Sequence, residues 1–157
     1  MKAETRKLIL KIASAVMCAL SIVPLFLDYI AFKNGSTRIS YKFGETAGSG
    51  DALMVISRIL FIATIVVLCL LLISVILKIF FKNDILNWVV IGASIFVLIT
   101  VTLSFVSTLL YCLKISELGK IVWFPAIGCY ILVLSAVGGS MLAMFSDYEK
   151  PAKTAKK

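Results

Sequence analysis

Histidine is absent from all 157 residues, which removes both the commonest general base and the commonest metal ligand. The 8 acidic residues lie singly in loops and near the ends of apolar runs, and no G-x-S-x-G elbow offers a nucleophile. The chain therefore reads as a non-enzyme, with no catalytic residue, cofactor site or metal site expected. Polar stretches are scarce too. The longest, Lys33 to Asp51, is too short to bury a core of its own. It ends in Gly44-Glu45-Thr46-Ala47-Gly48-Ser49-Gly50-Asp51, which is rich in glycine but lacks the lysine of a phosphate-binding loop. Asp51 would repel phosphate, so a flexible return with Ser49 or Asp51 as helix N-cap fits better. Cys18, Cys69, Cys112 and Cys129 all fall inside apolar runs, so no extracellular disulfide framework is expected. They read as small buried hydrophobes, with a Cys112–Cys129 bond left open because both lie toward the outer ends of consecutive runs.

What remains is apolar. Hydrophobic residues make up 61% of the chain, and the mean hydropathy is +1.08. The apolar content is gathered in four runs, 8–27, 52–79, 85–113 and 121–145, each at or above the ~20 residues needed to cross ~30 Å of hydrocarbon. The expected fold class is an all-α membrane protein. It is a four-transmembrane-helix bundle forming a single membrane domain, with a small extracytoplasmic β-hairpin in the loop 28–51 and a basic tail at 147–157. Lys2, Arg6, Lys7 and Lys11 precede the first run as they would in a signal peptide. The run nevertheless continues past Ala13-Ser14-Ala15 to Leu27, as a retained helix does.

Lysine and arginine flanking the helices set orientation. Ten of the 16 basic residues share one side if both termini and the middle loop are together: Lys2, Arg6, Lys7, Lys11, Lys78, Lys82, Lys150, Lys153, Lys156 and Lys157. The split favours a multi-pass protein of the plasma membrane with both termini cytoplasmic. Its tail suits anionic lipid, and without aromatic interleaving or a folded basic domain no nucleic-acid partner is expected.

The outer loop carries Asn34-Gly35, a dipeptide suited to the type I′ turn of a two-residue hairpin. Setting Lys33 opposite Ser36 pairs Phe32 with Thr37, Ile30 with Ile39 and Asp28 with Tyr41. Ile30, Phe32, Ile39, Tyr41 and Phe43 then share one face, which is expected to lie on the helix ends as a lid, with Lys33, Ser36, Arg38, Ser40 and Lys42 on the other.

Polar residues within the runs are the remaining candidates. Asp28 closes the first run and Arg58 lies two turns into the second, so an outer-interface ion pair is expected, with snorkelling of Arg58 as the alternative. Thr100, Ser104 and Thr108 recur every four residues in the third run, followed by Cys112, a stripe that either tightens helix packing or lines a path. Ser135, Gly139 and Ala143 form a small-xxx-small ladder in the fourth run, for close packing within the bundle or an assembly, with Leu132 and Val133 expected toward lipid. Pro125 is expected in the first turn of that helix, and Trp88 and Trp123 at run ends as interfacial anchors.

This layout resembles the small four-helix integral membrane proteins common in bacterial genomes, tetraspans of loosely claudin-like topology. The likeness is carried by Pro24-Leu25-Phe26-Leu27-Asp28, the loop from Asn34 to Asp51 and the Gly128 to Gly139 stretch. The outer loop is shorter than in claudins and lacks their aromatic-glycine-leucine signature and cysteine pair, so the resemblance implies topology and transfers no functional residue. Two functional readings follow. The first is a non-catalytic interaction, accessory or scaffold subunit of a membrane complex, with the bilayer and a membrane-protein partner or a second copy as its contacts. The alternative is a small transporter or channel subunit.

Overall fold

The computed structural model describes residues 3–34, 36–45, 51–81, 84–119 and 122–146, so the tail 147–157 and most of the glycine-rich return lie outside the described residues. Four helices, α1 (Ala3–Leu20), α2 (Ala52–Phe80), α3 (Asp84–Gly119) and α4 (Ile127–Phe145), form an antiparallel bundle. All four are long and apolar enough to cross a membrane. In the bundle α2 packs on α1 and α3, and α4 on α1 and α3.

Helix boundaries follow local chemistry. Asp51 caps α2, its carboxylate accepting from the Leu53 amide at 2.9 Å, which satisfies one of the donors every helix start leaves open. The first apolar run is not one helix to Leu27. After Leu20 the chain turns through a 3₁₀ segment, Val23–Phe26, because Pro24 cannot continue the α-helical ladder. Buried positions in α2 run Met54, Ser57, Phe61, Thr64, Leu68, Leu71, Val75 and Lys78, alternating steps of three and four, and Val90, Ser94, Val97, Val101, Ser104, Thr108 and Tyr111 do the same in α3. That is the spacing of a left-handed knobs-into-holes pair.

The expected hairpin is part of a three-stranded antiparallel sheet of order β2-β1-β3, built from β1 (Asp28–Asn34), β2 (Thr37–Lys42) and β3 (Val122–Pro125). The third strand corrects two expectations. The fourth helix begins at Ile127 rather than Ile121, and Pro125 closes a strand opposite Ile30 instead of opening a helix. A two-stranded hairpin is marginal by itself, and β3 covers the second edge of β1.

The hairpin register is also corrected. Asn34 pairs with Thr37, Phe32 with Ile39 and Ile30 with Tyr41, so the connection is 35–36 rather than Asn34-Gly35, and Gly35 itself lies outside the described residues. Residue pairing moves by two positions, an even shift, so each side chain keeps its face. The shift sets Phe32 between Ile39 and Trp123 in one cross-strand row. A bulge between Asp28 and Ile30 leaves Tyr29 without a partner in β2 and turns its side chain into the bundle.

Candidate functional site

The end of the bundle that carries the sheet gathers most of the polar residues singled out in the sequence. At its centre is Tyr29, 0% exposed, one face of the strand driven into the gap between α2 and α3. Its hydroxyl shares hydrogen bonds with Ser57 Oγ at 2.7 Å and Thr108 Oγ1 at 2.9 Å, and those two hydroxyls meet each other at 2.6 Å. Burial pushes the phenol above its ordinary range, so it remains a neutral hydroxyl able to donate and accept. Around the ring stand Phe43, edge-on at 5.4 Å, and Phe61, edge-on at 5.1 Å, themselves stacked at 4.1 Å. The Tyr29 carbonyl accepts from the Ala126 amide at 2.9 Å, just before α4 begins. One residue thus ties β1 to α2, α3 and the entry to α4.

Close backbone approach completes the clasp. A Cβ at Gly128 would stand 2.7 Å from the Asp28 carbonyl oxygen, so only glycine lets α4 start beneath the strand. On the far side the Trp123 amide donates to Ser116 Oγ at 2.8 Å, seating β3 on the last turns of α3. Phe32, Tyr41 and Trp123 form one aromatic cluster, with Trp123 4.6 Å from Phe32 and both flanking rings 6.1 Å from Tyr41.

The lid residues divide unevenly. Ile30 and Phe43 are buried, Phe32 and Tyr41 are half-buried, and Ile39 is 42% exposed, correcting its place beneath the lid. Sheet base and sheet tip largely explain the division: β1 is buried on both faces at Tyr29, Ile30 and Ala31, while Lys33, Arg38 and Ile39 near the turn are exposed, as is Lys42 opposite Asp28. Arg38 lies over Phe124, its guanidinium 5.4 Å from the ring. Asn34 ends β1, paired with Thr37 of β2.

Asp28 and Arg58 do not pair, which corrects the expected ion bridge. Asp28 opens β1 opposite Lys42, whereas the Arg58 guanidinium lies 5.4 Å over the Phe43 ring. An ion pair at this end is Asp51–Lys114, at 2.5 Å, joining the start of α2 to α3. The Lys114 ammonium first, and then the Leu53 amide, hold the Asp51 carboxyl below the usual carboxylate range.

Thr100, Ser104 and Thr108 are all buried on the α2–α3 seam. Thr64 Oγ1 donates to Thr100 Oγ1 at 2.9 Å, Ser104 Oγ to the Ser57 carbonyl at 3.1 Å, and Ser57 Oγ back to the Ser104 carbonyl at 3.2 Å. The partners Ser57 and Thr64 escaped sequence reading, although two hydroxyls seven residues apart fall on one face of a largely apolar helix.

Ser135, Gly139 and Ala143 are also buried, with Gly139 against α1. Ser14 Oγ donates to the Gly139 carbonyl at 2.8 Å, and a Cβ at Gly139 would meet Cys18 Sγ at 2.9 Å and the Cys18 amide nitrogen at 3.3 Å. The outward residue of α4 is Leu134, 68% exposed, while Leu132 is 1% exposed and belongs to the core, correcting its expected lipid-facing place. All four cysteines are unbonded thiols. No protein-family model matches the chain, and no curated relative was found.

Proposed function

We propose that this chain is a non-catalytic, multi-pass protein of the plasma membrane with both termini cytoplasmic, serving as an interaction, accessory or scaffold subunit whose outer sheet is the recognition surface. The observation that supports this most is the Tyr29 clasp, which roots the sheet in α2 and α3 and holds the tip residues Lys33, Arg38 and Ile39 as an exposed, ordered platform. Preorganised surfaces bind with less ordering cost than mobile loops. The hydroxyl stripe counts toward the same reading, because each of its groups is already engaged in the α2–α3 contact. The Gly139 ladder does not supply the partner surface, since α1 occupies it.

A photo-crosslinking residue in place of Ile39 or Arg38 should give a discrete protein adduct in native membranes, whereas one in place of Leu134 should label lipid. Lipid adducts alone at all three positions would remove the recognition surface. Orientation is read separately: a cysteine at Ser36 should react with an impermeant maleimide on intact cells and one at Thr154 should not.

A further inference from the structure

We propose that Arg58 is a phospholipid-headgroup site, its guanidinium receiving the phosphate of a lipid in the leaflet on the sheet side of the bundle. The inference rests on the reading of the four helices as membrane-spanning and not on the partner reading.

Arg58 stands seven residues past the Asp51 cap, roughly 10 Å along the axis of α2, inside an apolar run. Exposed Val55, Ile59 and Ile62 flank it, so it borders the outward apolar face of the helix. Its Nε is buried without a hydrogen-bond partner, and no ion pair or hydrogen bond reaches it from the described residues. Asp51 is engaged by Lys114, and Asp28, which opens β1, makes no ion pair with Arg58. The Phe43 ring covers one flat face of the guanidinium at 5.4 Å, which orients the group, and the residue as a whole is half-buried at the border of the outward face.

In hydrocarbon such a donor cannot stay unpaired, and the long side chain reaches the headgroup layer rather than the bilayer centre. The planar N–H fork of arginine matches two oxygens of a phosphate, while its apolar stem and Phe43 suit the adjoining acyl chains. Because phosphatidylglycerol and phosphatidylcholine both carry that phosphodiester, the site selects the phosphate and is indifferent to the headgroup alcohol.

The test uses the full chain in mild detergent and native mass spectrometry, with dioleoyl phosphatidylglycerol, dioleoyl phosphatidylcholine and the phosphate-free dioleoylglycerol as probes. Wild type should retain either phospholipid over the diacylglycerol by about tenfold, the effect of one charge-assisted contact. Arg58→Gln should abolish that preference, Arg58→Lys should keep part of it, and Arg38→Gln, on the exposed sheet tip, should leave it unchanged. Retention by Arg58→Gln equal to wild type overturns the site, as does an equal loss in Arg38→Gln. Displacement of the lipid by equimolar inorganic phosphate overturns the lipid assignment in favour of a free-anion site. Flotation with vesicles is scored first: a chain that does not float fails the membrane reading and the site together, whereas a floating chain whose Arg58→Gln variant holds lipid fails the site alone.

Discussion

The two long seams of the bundle are glued differently. Between α2 and α3 the contact is a ladder of hydroxyls, Tyr29, Ser57, Thr64, Thr100, Ser104 and Thr108, each bonded to another hydroxyl or to a backbone carbonyl. Between α1 and α4 a hydroxyl bond, Ser14 to the Gly139 carbonyl, accompanies a backbone approach so close that no side chain fits at Gly139. Apolar helices surrounded by lipid gain nothing from burying apolar surface against each other, so association rests on packing and hydrogen bonds. The seams embody those two alternatives. They should fail differently: the hydroxyl seam by small, divisible steps, the glycine seam all at once.

The largest effect is therefore expected from Gly139→Leu. Its side chain must displace Cys18 and the backbone of α1, and overpacking of this kind costs on the order of 3 kcal/mol. Thermal unfolding in detergent should show a large drop, while Leu134→Ala, on the outward face, should fall near wild type. A tolerated Gly139→Leu would mean that the two seams are not different in kind.

Tyr29→Phe comes next. It keeps the ring against Phe43 and Phe61 but removes both bonds to Ser57 and Thr108, and about 1–2 kcal/mol of stability should go with them. Ser57 and Thr108 still bond each other, which limits the loss. Lower on the scale, a double-mutant cycle of Thr64→Val and Thr100→Val should return a coupling of about 0.6 kcal/mol, the usual size for interhelical hydrogen bonds in membranes. A coupling near zero would leave packing alone as the glue of both seams.

Asp51→Asn should have the smallest effect, and it carries a pH signature. The folded-state carboxyl titrates below its ordinary value of 3.8, so the wild-type advantage is fully present above that value and is lost as the pH falls through it and below. Melting temperatures of the two proteins should converge on acidification and stay apart at neutral pH; parallel curves would detach Lys114 from the effect.

These contrasts show what the sequence made legible. Four helices long and apolar enough to cross a membrane could be read from run length, and the face assignment of Ile30, Phe32 and Tyr41 survived a wrong register because the error was even. β3 was hidden because Ile121-Val122-Trp123-Phe124 joins an apolar run, although the residue before Pro125 is pushed away from helix and toward extended backbone. Tyr29 was missed for another reason. Strict alternation assigns it to the face of Lys33 and Arg38, and only a bulge, which no local pattern announces, aims it at α2 and α3. Arg58 stands out in the sequence as a charge inside an apolar run, but its apparent partner was chosen by depth alone, which cannot foresee that Phe43 takes the position over the guanidinium.

Whether sheet and bundle are one unit is decided most directly by amide hydrogen exchange over 28–34 and 122–125 in wild type and Tyr29→Phe. Protection in β1 and β3 approaching that of α2 in wild type, reduced in both strands together by Tyr29→Phe while α1 and α4 are unchanged, is the predicted result. Exchange in β1 and β3 as fast as in an unstructured peptide, or protection indifferent to Tyr29→Phe, would contradict the clasp and the ordered outer platform built on it.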